Sequence, residues 1–192
     1  MDGLTGPKQN AHIKLLPLDL ERDGDALRVM AEGLGDQVHV WPYYHEGDWI
    51  SDWSQAIGDG VAKGVFMLFA AFTPEGQFAG ITGYIRPDGV SRNVEIGMTM
   101  YGAAYQGTKV NPAAKLLLLD AAFEAGLARV QLNVDDRNER SKAAVLKLGA
   151  KQEGLLREHR LLASGHLRST AVFSILAREW PQVRERLEAR LG

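Results

Sequence analysis

Apolar and polar residues alternate with a period of two along the middle of the chain, which is the spacing of β-strands. Residues 65–72 are strongly apolar, residues 78–85 form their antiparallel partner, and residues 93–101 alternate throughout. In the last segment, one face carries Val94, Ile96, Met98 and Met100, and the other carries Glu95, Gly97 and Thr99. The run R-P-D-G at residues 86–89 predicts the turn between the last two strands. The pattern predicts an antiparallel meander of three strands.

Upstream of the meander, one strand and two helices are predicted. Residues 12–18 form a short strand in this interpretation, and residues 20–33 form a helix. Asp48 is a favourable N-cap for a second helix, in which three large apolar residues recur every four positions, as core side chains do. These three residues are Trp49, Trp53 and Ile57.

After the meander, the order of the elements changes. Asn111, followed by a proline, is a favourable N-cap for a helix over residues 113–127, which is apolar almost all round and therefore suited to burial against a sheet. Residues 130–134 alternate again and predict a strand. A strand, a short loop, a buried helix and a strand in about 40 residues predict a right-handed βαβ unit with parallel strands.

The C-terminal part predicts a short helix over residues 138–148 that ends at Gly149, then a hairpin and a last helix. The hairpin strands are residues 155–162 and 167–175, and the helix is residues 180–191. The chain is therefore assigned to the α+β class, with a mixed α/β arrangement of one mostly antiparallel sheet flanked by helices.

Composition narrows the function classes. The 192 residues fit a single domain over residues 1–192, and the formal net charge of −2 provides no basic field to attract nucleic acid or an anionic membrane. The chain has no cysteine, so it has no thiolate nucleophile and no disulfide. Without a long apolar run, the sequence predicts a cytoplasmic protein with neither a nucleic-acid nor a membrane partner.

Residues 105–111, Y-Q-G-T-K-V-N, connect a strand to the start of the buried helix. The first N–H groups of a helix have no partner within it, and the helix dipole makes that end positive, so the junction suits a phosphate or pyrophosphate. An ordinary βα connection has the same geometry, and geometry alone does not separate the two interpretations. A P-loop is disfavoured because G-A-A-Y-Q-G-T-K has threonine and lysine in the reverse order.

Several short motifs follow one another between residues 94 and 154. They are V-E-I-G at 94–97, Y-Q-G-T at 105–108, D-R-N-E-R-S at 136–141, L-G-A at 148–150 and E-G at 153–154. This succession resembles the GNAT superfamily of N-acetyltransferases, and within it the RimJ/RimL-like branch that acetylates protein N-termini and small amines. The family's loop has the pattern Q/R-x-x-G-x-G/A, so this chain departs from it at Lys109 and Asn111.

The resemblance implies a GNAT-like sandwich with one parallel βαβ unit in a mostly antiparallel sheet. It implies acetyl transfer from acetyl-CoA to a primary amine, on a protein N-terminus or a small molecule, by direct attack and without a metal. It also implies that the parallel strands splay, so that main-chain groups near Met98 and Met100 contact the arm of coenzyme A. The pyrophosphate would bind the loop formed by Gln106, Gly107, Thr108, Lys109, Val110 and Asn111.

The predicted short helix carries Asn138 and Ser141 on the same stripe as buried apolar residues, so Ser141 faces inward. The resemblance implies that Ser141 donates a hydrogen bond to the coenzyme A sulfur and that Asn138 holds the cofactor arm. The alternative is that Asn138 is the N-cap and that the Ser141 hydroxyl bonds to the backbone. Asn138 is able to do both.

The resemblance also implies that Glu95 acts as a base through water or orients the acceptor amine, although a solvated strand residue is an equal alternative. Glu158 and His159 are other candidate bases. An aromatic loop, with Trp41, Tyr43 and Tyr44, lies where the family builds its acceptor pocket. His39 and His45 have no evident third ligand, so no metal site is predicted.

A second hypothesis is a non-catalytic GNAT-like module that binds acyl-CoA. Lys109 suggests it, because a lysine lacks the backbone freedom that glycine gives to a phosphate loop. The alternative is that its ammonium binds the same phosphates. The oligomeric state is open, although an exposed hairpin edge or the C-terminal helix would support a homodimer.

Overall fold

The structure is a computed structural model that describes residues 2–35 and 42–192. Its strands are β1 (Lys8–Gln9), β2 (Lys14–Pro17), β3 (Phe66–Phe72), β4 (Phe78–Asp88), β5 (Asn93–Tyr101), β6 (Arg129–Asp135), β7 (Lys151–Leu161) and β8 (Leu167–Leu176). Its helices are α1 (Leu20–Glu32), α2 (Trp49–Ala62), α3 (Val110–Glu124), α4 (Glu139–Leu148) and α5 (Trp180–Leu191). Short 3-10 turns cover Asp2–Leu4 and Ala103–Tyr105.

The strands form one sheet in the order β1-β2-β3-β4-β5-β6-β8-β7. Neighbouring strands are antiparallel except for β5 and β6, so the predicted mixed sheet with one parallel pair is confirmed. One hydrophobic cluster joins the sheet to α1 and α2, and a second joins it to α3, α4 and α5. Within the described part of the chain, none of the helices combines the length and the apolar content that crossing a bilayer requires.

Several predicted helix boundaries are confirmed by their caps. The Asp48 carboxylate accepts a hydrogen bond from the Ser51 N–H at the start of α2, and the Asn138 side chain accepts one from the Ser141 N–H at the start of α4. Gly149 ends α4 with a φ of +103°, a value that glycine adopts without strain. Trp49, Trp53 and Ile57 of α2 are buried, as their spacing predicted.

Asn111 does not cap α3, and that prediction is wrong. The helix begins at Val110, so its N-cap is Lys109, which makes no side-chain capping bond, and the Val110 N–H donates to the Thr108 hydroxyl. Asn111 therefore lies in the first turn, and its Oδ1 atom is buried without a hydrogen-bond partner among the described residues.

The turn predicted at residues 86–89 is also displaced. Strand β4 continues to Asp88, and the turn follows at residues 89–92. Arg86 has a φ of +46° and the register between β4 and β5 shifts beside it. This bulge explains why Pro87 is tolerated in an internal strand, because a proline cannot donate to a regular ladder.

The alternation along β5 reverses in the middle of the strand. Val94 and Ile96 pack in the cluster that contains α3, whereas Met98 and Met100 pack in the cluster that contains α1 and α2. The expectation that these four share one face is therefore wrong. Met98 has a φ of +49° at a bulge that gives β5 one residue more than β4, and one extra residue inverts the two-residue period.

Strands β5 and β6 pair only at their beginnings. Asn93, Val94 and Glu95 are in register with Arg129, Val130 and Gln131. Beyond these pairs, β5 continues along β4 as far as Tyr101, and β6 continues along β8 as far as Asp135. The two strands therefore splay apart, as the family resemblance implied.

One lysine is buried in the otherwise apolar packing of α3. Lys115 is 5% exposed, and its Nζ donates hydrogen bonds to the Thr82 hydroxyl at 2.9 Å and to the Thr99 hydroxyl at 2.7 Å. Burial lowers the pKa of this ammonium to about 7, because the charged form loses its hydration and gains no carboxylate partner.

Lys115→Met is expected to change how stability depends on pH. Between pH 7 and 10.5 the unfolded wild-type chain keeps the proton that the folded chain releases, so its unfolding free energy rises with pH there. The rise is about 1.4 kcal/mol per unit of pKa separation, and it is absent from the variant. Urea denaturation at several pH values measures it, with exposed Lys14→Met as the control. Parallel curves for wild type and Lys115→Met would contradict the assignment.

Gly83→Ala is expected to destabilise the protein by about 2–3 kcal/mol through overpacking. A Cβ atom at Gly83 would lie 2.3 Å from the Met67 carbonyl oxygen and 2.8 Å from the Leu68 Cα, and this backbone of β3 cannot yield as a side chain does. Gly154→Ala is the matched control, because a Cβ atom there has no neighbour within 4 Å. Chemical denaturation midpoints compare the two, and equal midpoints would show that β3 and β4 separate easily.

Candidate active site

Three β-bulges surround one cavity in the sheet. Arg86 of β4, Met98 of β5 and Glu158 of β7 are non-glycine strand residues with φ between +46° and +49°, and each stands at a register shift. Arg86 and Met98 line the cavity, and so does His159, which follows Glu158. Bulges re-aim side chains, and strained backbone concentrates at functional sites. The strain in the sheet therefore points to this cavity.

The cavity has a volume of about 290 Å³ and lies at the splay between β5 and β6. Asn111, Lys115 and Ser141 reach it from α3 and α4. Tyr43 and Phe66, which pack with the α1 and α2 cluster, reach it from the other face. The opening between the strands thus gives access from both faces of the sheet.

The structure brings some of the predicted site residues to this cavity and leaves others away from it. Those that line it are Tyr43, Glu95, Met98, Asn111, Asn138 and Ser141. Those that do not are Tyr44, Met100, Gln106, Gly107, Thr108, Lys109 and Val110. Met100 is buried in the α1 and α2 cluster, and Tyr44 packs edge-on against Trp49. Trp41 lies outside the described residues.

Glu95 is a partly desolvated carboxylate. Burial, the largest effect, raises its pKa above the ordinary value. A hydrogen bond from Asn133 and the positive charges of Arg86, Arg168 and Arg160 act in the opposite direction, and burial outweighs them. A carboxylate whose pKa is raised is a stronger base than one in water, so Glu95 is suited to accept a proton.

A chain of hydrogen bonds along β6 fixes the orientation of Asn133. Arg129 can only donate, and its Nη2 donates to Gln131 Oε1 at 3.0 Å. Gln131 must then donate its Nε2 to Asn133 Oδ1, at 3.1 Å. The amide nitrogen of Asn133 is thereby directed to Glu95. Arg129 is itself fixed by two hydrogen bonds to Glu153, at 2.5 and 2.6 Å. This chain fixes the amide of Asn133, whose hydrogen bonding lowers the pKa of the Glu95 carboxyl.

Asn138 performs the structural role that was one of its two interpretations. Its side chain caps α4, and the Ser141 N–H donates to it at 2.9 Å. Both residues also line the cavity, so the cap places the Ser141 side chain, in the first turn of α4, at the cavity wall. The capping and cofactor interpretations of Asn138 are therefore compatible in this geometry.

The loop before α3 is pinned at several points. Gln106 donates to the Tyr101 carbonyl at 3.0 Å and accepts a hydrogen bond from Arg140 of α4. Thr108 donates to the Tyr105 carbonyl at 2.7 Å. The Lys109 ammonium donates to the Leu191 carbonyl at the end of α5. Lys109 is thus engaged by the C-terminal helix.

Arg140, Lys115 and the arginines around Glu95 were missed by sequence reasoning. A lysine in a helix that is otherwise apolar was the available signal for Lys115. Arg140 stands in the D-R-N-E-R-S motif, but the sequence does not show that it contacts Gln106 across the crevice. The arginines come from three strands: Arg160 and Arg168 are paired between β7 and β8, and the folded sheet brings Arg86 of β4 to the same cavity.

The other candidate bases and ligands are placed as follows. Glu158 does not line the cavity, whereas His159 does, and His159 Nδ1 lies 3.1 Å from the Thr170 hydroxyl. His45 is held by the Glu46 carbonyl and the Asp52 carboxylate. His39 lies outside the described residues. Among the residues that are described, no three His, Cys, Asp or Glu side chains are grouped to hold a metal ion.

Comparison with known proteins agrees with this geometry. The chain is 28% identical over 188 residues to "Putative ribosomal N-acetyltransferase YdaF" of Bacillus subtilis (strain 168). The match covers 90% of this chain and 96% of that protein. A solved structure from T. thermophilus, described as a "putative acetyltransferase", matches with a TM-score of 0.85 and 32% identity over 97% of both chains.

A second solved structure is RimJ of Mycobacterium smegmatis in complex with CoA-disulfide. It matches with a TM-score of 0.75 and 26% identity, over 93% of this chain and 88% of that one. The family model named acetyltransferase (GNAT) domain matches residues 15–151, which is most of the chain. The fold, the splayed strand pair and these matches agree, and the chain belongs to the GNAT acetyltransferase family.

Proposed function

We propose that this protein is an N-acetyltransferase that transfers the acetyl group of acetyl-CoA directly to a primary amine. The observation that carries the proposal is the cavity between the splayed strands β5 and β6. Groups suited to a cofactor lie on its α3 and α4 side, and a desolvated carboxylate, Glu95, lies on the other. Two reactants can therefore enter from opposite faces and meet inside the sheet.

The residues on the α3 and α4 side fit coenzyme A. Asn111 Oδ1 is buried and lacks a partner among the described side chains and main chain, so it is an acceptor available to an amide N–H such as those of the pantetheine arm. The N-terminus of α3 and residues 106–111 offer main-chain N–H groups for the pyrophosphate. Arg140, held beside this loop by Gln106, adds a positive charge.

Acetyl-CoA supplies an acyl group activated as a thioester. The acceptor amine must be neutral to attack it, and Glu95, oriented by Asn133, takes the amine proton directly or through water. As the new C–N bond forms and the C–S bond breaks, the Ser141 hydroxyl donates a hydrogen bond to the departing sulfur. Main-chain groups at the Met98 bulge, which have lost β6 as a partner, are suited to stabilise the developing oxyanion.

A non-catalytic acyl-CoA-binding module is the second candidate. Lys109 stands where the family has a small residue, and its ammonium is engaged by the Leu191 carbonyl. The module predicts that acetyl-CoA stabilises the protein and that no acceptor releases a thiol. The enzyme predicts both stabilisation and thiol release.

Acceptor and assembly stay predictions. The names of the relatives favour a protein N-terminus, which for YdaF is described as ribosomal, and a small amine is the other source of the same group. The predicted homodimer has a candidate surface in β7, the edge strand of the sheet, whose residues are exposed. The cytoplasmic location is a further prediction.

Glu95→Gln is expected to lower kcat by about a hundredfold or more, with little change in the affinity for acetyl-CoA. A base must be ionised, so wild-type kcat/KM falls as pH decreases through the raised pKa of Glu95. The variant loses this decrease in kcat/KM and keeps the decrease that is caused by protonation of the acceptor amine. Thiol release over a panel of amines measures the rates, and calorimetry measures acetyl-CoA binding.

Glu185→Gln on the exposed face of α5 is the control for this change. If Glu95→Gln retains full kcat while His159→Asn loses it, then the base is His159. If wild type binds acetyl-CoA and releases no thiol with any amine, the binding module replaces the enzyme.

Ser141→Ala is expected to lower kcat by about a hundredfold while the Kd for acetyl-CoA changes little, because the proposed hydrogen bond strengthens as the sulfur becomes a thiolate. Ser164→Ala in the β7–β8 turn is the matched control. Equal losses in turnover and in cofactor affinity would remove Ser141 from the chemistry and leave it a binding residue.

A further inference from the structure

Three arginines from three strands line the cavity on the side of Glu95. Arg86 stands at the bulge of β4, Arg160 follows the bulge of β7, and Arg168 lies on β8. Each is close enough for its positive charge to lower the pKa of Glu95. The proposed transfer of an acetyl group to an amine uses none of them.

The arrangement of Arg160 and Arg168 is unfavourable on its own. The two are direct register partners on adjacent strands, where like charges repel. Arg168 is only 7% exposed, and its Nε has no hydrogen-bond partner among the described residues. A buried N–H group without an acceptor costs free energy, and burial also lowers the pKa of this guanidinium.

Asp135 is an ion-pair partner of Arg168, but it does not supply a hydrogen bond to the guanidinium Nε. Its Oδ2 lies 3.9 Å from Arg168 Nε, beyond hydrogen-bonding distance. The same carboxylate already accepts hydrogen bonds from Arg137 Nε at 2.9 Å and from Arg137 Nη2 at 2.8 Å. Asp135 and Glu95 attract the charge of Arg168, but its buried Nε, at the cavity wall, still lacks an acceptor among the described residues.

The cavity as a whole has an excess of positive charge. Its basic lining residues are Arg86, Lys115, Arg160 and Arg168, and its acidic ones are Glu95 and Asp135. An excess of positive charge would repel a cationic acceptor such as a polyamine. It suits an acceptor that brings a negative charge with its amine.

The arginines are also separated from the loop that suits the phosphates of coenzyme A. Of residues 106–111 only Asn111 lines the cavity, whereas all three arginines do so and their charges bear on Glu95. We therefore assign these positive charges to the acceptor side of the cavity.

We propose that the acceptor amine carries an anionic oxygen group, a carboxylate or a phosphate, and that Arg86, Arg160 and Arg168 bind this group. The guanidinium fork matches both groups through paired hydrogen bonds. An anion between Arg160 and Arg168 relieves their repulsion and satisfies the buried Nε. With its anionic group held there, the acceptor has its amine directed toward Glu95. This inference rests on the proposed function and specifies its acceptor.

Matched acceptors test the proposal. One pair is 4-aminobutyrate and 4-aminobutanamide, and a second is a peptide amide with aspartate at its second position and the same peptide with asparagine. Phosphoethanolamine and ethanolamine form the third pair, which separates phosphate from carboxylate. Rates are compared at equal concentrations of neutral amine. We expect kcat/KM to be at least about tenfold higher for the anionic member of at least one pair.

The preference is expected to depend on the arginines. Arg160→Gln and Arg86→Gln, both exposed positions, should raise KM for the anionic acceptor about tenfold more than KM for its neutral partner. Both acceptors are measured at a pH where Glu95 is ionised in every variant, because each arginine also lowers the pKa of Glu95. The Kd for acetyl-CoA should change little. Arg157→Gln, on the same strand as Arg160 but away from the cavity, is the control. Arg168→Lys keeps the buried charge without the fork and should give the same KM effect if it folds.

Three results would overturn the proposal. Equal kcat/KM for both members of every pair would show that the protein does not recognise the anionic group. Loss of acetyl-CoA affinity in Arg160→Gln assigns the arginines to the cofactor. If no acceptor is turned over, calorimetry measures whether 4-aminobutyrate binds the complex with coenzyme A. Binding that Arg160→Gln abolishes would support the anion site and refute the proposed acetyl transfer. Absence of binding would refute both.

Discussion

Two parallel strands that stop hydrogen bonding after three residue pairs open the sheet, and the candidate site depends on this opening. The Met98 bulge takes β5 away from β6, and β6 follows β8 instead. A continuous ladder would have filled the space with paired main chain, and helices on the two faces would have been separated by it. The opened edge leaves Glu95 and Ser141, which come from opposite sides, on the walls of one cavity.

Desolvation gives the polar groups of this cavity their chemical character. Glu95 and Lys115 both lose hydration, which raises the pKa of the carboxyl and lowers that of the ammonium, so each charged form is disfavoured. The hydrogen bonds of these groups determine where the side chains lie, whereas burial determines their charge state. Asn133, beside Glu95, is oriented by a chain that begins at Arg129, and two threonine hydroxyls hold Lys115. The site is thus a small set of buried groups in fixed orientations.

Local signals predicted the elements well and the irregularities poorly. Asp48, Asn138 and Gly149 act at their own helix ends, so their roles follow from neighbouring residues alone. The Asn111 cap failed because α3 begins at Val110, where the Thr108 hydroxyl accepts the first N–H, and Asn111 therefore lies inside the first turn. The even alternation of β5 failed at Met98, since nothing in the strand's own residues requires a bulge there. Where two local conformations are both possible, tertiary packing selects between them, and the periodicity of the sequence carries no information about that packing.

The sequence by itself determined the order of the elements, the parallel βαβ unit and the family motifs, because these depend on spacing along the chain. It also placed Glu95 and Ser141 among the candidates. Only the tertiary structure decided that Arg86, Arg160 and Arg168 meet beside Glu95, and that Lys109 is engaged by Leu191. Residues far apart in the chain acquire a common environment only when the strands and their bulges are assembled, and burial and charge act through that environment.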